Sequence, residues 1–143
     1  MIEKILIANR GEIAVRIIRT CKSMGLKSVA IYSEVDFRSP YALAADESCL
    51  IGPASARESY LNLENIIRAA ISHDCQAIHP GYGFLSENAE FAQMTQESGL
   101  IFIGPTPEAI RLLGDKTASK ALATTIGVPV VPGRQDPIAD IDE

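Results

Sequence analysis

With 143 residues, 47% of them hydrophobic and 22% charged, the chain carries enough apolar mass for one packed domain and falls outside the composition of disordered proteins. Its 13 Lys and Arg against 18 Asp and Glu leave a formal net charge of -5. That balance excludes a general basic face for nucleic acid. No apolar run approaches the ~20 residues that span a bilayer. The first such run, 5–8, is followed at once by Arg10 and Glu12, so no cleavable signal peptide is expected either.

The chain alternates short apolar runs with longer segments of helical period. Residues 4–8 (K-I-L-I-A) read as a buried strand. Ala14, Ile17, Ile18, Cys21 and Met24 then repeat at helical spacing until Gly25. A second strand is expected over 28–32, a short helix over 40–45 and a third strand over 48–51. Asn62 is suited to cap a helix whose stripe is Leu63, Ile66, Ile67, Ala70 and Ile71. Ala77 and Ile78 open a fourth strand, and His79-Pro80 cuts it short. Ser86 is the expected N-cap of the next helix, which runs to about Gln96 and closes at Gly99 before a fifth strand over 100–103. Thr106-Pro107 starts a helix that stops at Gly114, and Asp115 caps a last one from Lys116 to about Ile126. Strands that are apolar on both faces favour a parallel sheet covered on both sides. The fold class is therefore α/β: a doubly wound, mainly parallel five-stranded sheet with helices on both faces. The acidic stretch 134–143 lacks a period and reads as a linker.

Cys21, Cys49 and Cys75 lie far apart within apolar stretches, with no C-x-x-C pair, and read as reduced core thiols in a reducing compartment.

In an open parallel sheet, chemistry belongs at the carboxyl ends of the strands. Three segments fall there. Asn9-Arg10-Gly11-Glu12 follows the first strand but has one glycine where a dinucleotide loop needs G-x-G-x-x-G, which disfavours NAD. A local Arg10–Glu12 ion pair is the plain alternative, and Asp36 is either a ribose contact or a solvated loop acid. Residues 79–88 (H-P-G-Y-G-F-L-S-E-N) offer two aromatics on a flexible backbone. They line a ligand pocket, or else Phe84 and Leu85 plug the core. His79 before a proline reads as a hydrogen-bonded structural residue. Lys116, in the first turn of a helix, opposes the macrodipole. Asp115 or a bound phosphate must compensate it.

These segments carry a resemblance. Residues 7–16 (I-A-N-R-G-E-I-A-V-R), the decapeptide 79–88, I-G-P at 103–105 and G-D-K at 114–116 resemble, in order and over 1–133, the N-terminal domain of biotin carboxylase. This family serves the biotin-dependent acetyl-CoA, propionyl-CoA and pyruvate carboxylases. The resemblance implies a Rossmann-like domain that precedes an ATP-grasp domain, joined by the linker beginning at 134. It implies an ATP-dependent ligase that carboxylates carrier-bound biotin with bicarbonate through carboxyphosphate. The cofactors implied are ATP, biotin on its carrier protein, and magnesium or manganese. Metal ligands and catalytic base belong to later domains, so this chain by itself is expected to be inactive. Carried over by position, Lys116 reaches ATP, and Tyr82, Gly83 and Phe84 line the biotin and bicarbonate pocket. Glu87 and Asn88 orient that loop. Arg16 and Arg19 form part of a homodimer contact, with Ser23 where some members have an acid. The partners implied are the biotin carboxyl carrier protein, the carboxyltransferase, the rest of the carboxylase chain and a second copy, in the cytoplasm or a mitochondrial or plastid interior. Nucleic acid and membrane are not among them. Two other readings stand beside it: the corresponding domain of carbamoyl-phosphate synthetase, against which residues 79–88 speak, and a non-catalytic doubly wound binding module.

Overall fold

The first buried run and the four that follow it all become strands. A computed structural model describes residues 1–131; the expected linker 134–143 lies outside the described residues. In chain order the elements are β1 (Lys4–Ile7), α1 (Gly11–Ser23), β2 (Lys27–Ser33), α2 (Pro40–Ala44), β3 (Glu47–Gly52), a 3-10 turn (Ala56–Glu58), α3 (Leu63–Ser72), β4 (Ala77–His79), α4 (Ala89–Glu97), β5 (Ile101–Phe102), α5 (Pro107–Gly114) and α6 (Lys116–Thr125). The strands form one sheet in the order β3-β2-β1-β4-β5, and every pairing is parallel.

The period of two along β1 explains why both faces are covered. Ile5 and Ile7 point to one side, into a cluster with Ile13, Ile17, Ile18 and Cys21 of α1 and Tyr41 of α2. Leu6 and Ala8 point to the other, against Ile66 and Ala70 of α3 and Phe91 of α4. Alternate side chains thus enter opposite cores, the doubly wound arrangement expected. Cys21 and Cys75 are buried and Cys49 half-buried, all as free thiols, and burial pushes Cys75 up to about 11.

Three expectations are corrected. Met24 lies just past the end of α1 and is 65% exposed, while Ile71 is 54% exposed because Ala69 takes the place against the sheet. The cap of α4 is Asn88, not Ser86: its Oδ1 accepts the Phe91 N–H at 2.8 Å. Ser86 is consumed by the preceding turn, in which its own N–H donates to the Gly83 carbonyl at 2.9 Å. The 3-10 turn, whose start no pattern marks, lays the Glu58 carbonyl over Gly52, where a Cβ would approach to 2.4 Å. The other caps fall where expected, at Asn62, Thr106 and Asp115.

The cap assignment is testable by denaturant unfolding. Asn88→Ala is expected to cost about 0.5–2 kcal/mol, whereas Ser86→Ala leaves the midpoint in place. The reverse ranking would return the cap to Ser86.

Candidate functional site

The sheet order reverses at β1. The chain runs outward through β2 to β3, then returns to pair β4 with the free edge of β1. Between the carboxyl ends of the two strands that flank such a reversal a crevice opens. Here those ends carry Asn9-Arg10 after β1 and the Pro80–Phe84 loop after β4.

Asn9 joins the two. Its buried side-chain amide donates to the carbonyls of Pro80 at 2.7 Å and Tyr82 at 2.8 Å, and its Oδ1 accepts the Arg10 N–H at 2.9 Å. Gly81 sits between the two accepting carbonyls at φ +68, where a Cβ would stand 2.8 Å from the Asn9 amide nitrogen. Only glycine satisfies both the dihedral and the space. The Gly81 N–H donates to Nδ1 of His79 at 3.0 Å. Burial holds the His79 imidazole below its ordinary value, so it is neutral at pH 7 with its proton on Nε2. His79 is thus the structural residue that its position before proline implies.

The loop so fixed closes a cavity of about 300 Å³ lined by Asn9, Arg10, Glu12, Ile13, Tyr82, Gly83 and Phe84. That is the lower end of the size of small-molecule clefts. Tyr82 is 57% and Phe84 38% exposed, while Leu85 beside them is buried. Of the two aromatic-loop readings, then, Leu85 plugs the core and the two rings face the cavity side. The structure brings Tyr82, Gly83 and Phe84 together as expected. Lys116 stands apart from this cavity, exposed in the first turn of α6, and its ammonium has no partner among the described residues. Asp115, which accepts the Ala118 N–H at 2.7 Å, already caps that helix. Arg16 and Arg19 are both exposed on α1. Arg16 borders a separate apolar groove of about 560 Å³ with Ile17, Thr20 and Ile103, and Arg19 does not. Ser23 turns inward on its own helix, donating to the Thr20 carbonyl at 2.8 Å.

Arg10 does not pair with Glu12. Its guanidinium lies 3.5 Å from Asp36 and 5.5 Å from the centroid of the Tyr60 ring. Asp36 is not a solvated loop acid: it is 8% exposed and accepts from Tyr60 Oη at 2.6 Å and Ser33 Oγ at 3.0 Å. Sequence reasoning passed over Tyr41 and Tyr60 altogether. Ser33-x-x-Asp36 is a local signal that a turn could have revealed, but nothing local joins either to Tyr60.

Residues 1–110 match the family model described as biotin carboxylase, N-terminal domain. The chain is 59% identical over 140 residues to a biotin carboxylase of Allochromatium vinosum, covering 98% of this chain and 31% of that protein. It is 56% identical over 142 residues to the mitochondrial methylcrotonoyl-CoA carboxylase subunit alpha of Glycine max, covering 99% of this chain and 19% of that one. A solved structure of the biotin carboxylase domain dimer of Hydrogenobacter thermophilus 2-oxoglutarate carboxylase, in complex with MgADP, ADP and bicarbonate, superposes with a TM-score of 0.94. The two are 46% identical, over 99% of this chain and 31% of the other. The chain thus spans less than a third of the length of these relatives.

Asp36 is expected to make part of the fold's stability depend on pH. Burial alone would raise its carboxyl, but the hydrogen bonds from Tyr60 and Ser33 and the charge of Arg10 together outweigh it and hold the group below its ordinary range. A depressed folded pKa contributes stability above the unfolded value, about 3.9, and loses it as pH falls through the folded one. Urea unfolding of Asp36→Asn against the parent chain should therefore show a stability gap that is widest at neutral pH and narrows below about pH 4. A gap independent of pH would show that the carboxylate charge contributes nothing.

Proposed function

The chain belongs to the biotin carboxylase family, as its N-terminal domain, and from that premise we propose that it serves an ATP-dependent ligase that carboxylates carrier-bound biotin with bicarbonate. The observation that carries this reading is the crevice at the strand-order reversal, where Asn9 and Gly81 pin the loop bearing Tyr82, Gly83 and Phe84. Two partly exposed rings beside Ile13 make an apolar wall for a bicyclic ring, and Arg10 supplies a polar edge. The task of this chain is to bind and orient biotin and keep water from one side of it. The family match sets aside the carbamoyl-phosphate synthetase domain.

Lys116 is assigned to ATP. Its unpartnered ammonium stands at the start of α6, where free backbone N–H groups already favour an anion. ATP, when bound, supplies the phosphoryl group that activates bicarbonate. The ligands of magnesium or manganese are assigned to the domains that follow, as the resemblance implies. We assign 1–133 to this domain and 134–143 to the start of the connection toward an ATP-grasp domain. The exposed Leu112, Leu113 and Ile126 along α5 and α6 support such a covered seam. The remaining partners proposed are the biotin carboxyl carrier protein, the carboxyltransferase and a second copy meeting at Arg16 and Arg19. Three free thiols accord with a reducing cytoplasm or organelle interior. Among the described residues no helix is long and apolar enough to cross a membrane.

Two measurements test these assignments. In the full-length enzyme, Lys116→Ala should raise KM for ATP roughly tenfold to hundredfold, the worth of a charged hydrogen bond of about 1.5–3 kcal/mol, with KM for biotin nearly unchanged. Lys116→Arg should recover part of it. If ATP kinetics hold and only thermal stability drops, Lys116 is a helix-start residue and the assignment fails. Separately, Arg19→Glu should weaken self-association in sedimentation at low salt, and added salt should weaken the parent dimer, since exposed charges are screened over about 10 Å at 0.1 M. An unchanged monomer–dimer equilibrium removes this face from the interface.

A further inference from the structure

Tyr60 stands where four separate pieces of the carboxyl edge meet. Its hydroxyl donates to Asp36 at 2.6 Å and accepts the Ser33 N–H at 2.9 Å. The remaining contact, with the Tyr41 hydroxyl at 2.8 Å, has its direction set by this: the single proton of Tyr60 goes to the carboxylate, so Tyr41 donates. The oxygen thus uses one donor and two acceptor positions, all inside a buried setting. Three bonds at the para position anchor the far end of the ring and hold its long axis in place. That ring stacks on Phe84, with centroids 5.4 Å apart and planes within 18°, and has the Arg10 guanidinium 5.5 Å from its centroid. Phe84 is itself at φ 43, a left-handed conformation that a phenylalanine holds only when its surroundings insist. The side chain of that residue is the one that stacks on Tyr60.

We propose that Tyr60 is a positioning residue for the biotin crevice: its hydroxyl, locked by Asp36, Ser33 and Tyr41, fixes the ring that holds Phe84, and with it the loop that ends at Leu85. This rests on the reading of Tyr82, Gly83 and Phe84 as a wall of the biotin pocket, and deepens it. Tyr60 itself lines no part of that cavity. It acts through Phe84.

The test uses the full-length enzyme and the near-isosteric Tyr60→Phe, which keeps the ring and removes the hydroxyl. KM for free biotin should rise at least about 2-fold and by no more than about 12-fold, the limit set by complete loss of an aromatic pair, with KM for ATP unchanged. In a Phe84→Leu background the same change should add nothing, because the contact through which Tyr60 acts is already gone. Amide exchange in residues 81–85 should be faster in Tyr60→Phe than in the parent. A lower melting temperature with unchanged biotin KM and unchanged exchange, alongside a raised biotin KM in Tyr82→Ala, would make Tyr60 a core residue only and overturn the proposal. If Tyr82→Ala also leaves biotin kinetics untouched, the reading of the loop as a biotin wall fails instead. Exchange over 81–85 then decides the positioning role alone: faster upholds it, unchanged ends it.

Discussion

A buried carboxamide has two donors and one acceptor oxygen to satisfy, and at Asn9 both donors bridge to a second loop while the oxygen holds the next residue of its own. The Pro80 and Tyr82 carbonyls accept from its nitrogen, and the Arg10 amide donates to its oxygen. Because β1 lies at the centre of the sheet and β4 joins it from the far side of the sequence, this amide extends the β1–β4 pairing into the loops, between segments more than seventy residues apart. Leaving such a group unpaired in a dry setting costs about 1–3 kcal/mol. Both loops are therefore compelled to stay together, and the crevice between them follows from that requirement more than from any attraction between its own walls. The demand for glycine at position 81 is the steric face of the same constraint.

Much of this architecture was legible because it is written in local signals. Buried strands show as Ile, Leu and Val runs, and α5 and α6 begin at Thr106 and Asp115 because a short polar side chain just ahead of a helix has a free N–H to accept. The aromatic loop showed in its composition, and the resemblance to biotin carboxylase gave its residues roles. Where two local signals competed, the outcome was decided by context: Ser86 and Asn88 are both good caps, and only the turn that claims Ser86 leaves the task to Asn88. The stripe of α3 was misjudged at Ile71 for a related reason. Periodicity tells which residues share a face, but the sheet decides how that face is rotated, and here it admits the smaller Ala69.

Beyond the local Ser33–Asp36 contact, the polar cluster around Asp36 was not legible. Arg10, Asp36, Tyr41 and Tyr60 come from four elements, and no spacing in a single chain predicts that a loop acid will meet a tyrosine 24 residues on. A neighbour at two residues, Glu12, looked the better partner for Arg10 on sequence distance. The fold instead sets Arg10 beside Asp36, whose charge is held against its burial by the hydrogen bonds from Tyr60 and Ser33.

The central position of β1 also bears on how the molecule is made. Lys4 meets its partner Lys27 on β2 early in synthesis, whereas Ile5, Leu6 and Ile7 wait for Ala77, Ile78 and His79. Closing the longer span costs only roughly 1 kcal/mol more in chain entropy, so the delay comes from translation order and not from the energetics of closure. Until β4 leaves the ribosome, the nascent half-sheet presents an Ile-Leu-Ile edge with unpaired backbone groups. An open apolar edge of that kind invites pairing with other chains. The ligand crevice, assembled from both sides of this seam, is completed only when that hazard has passed.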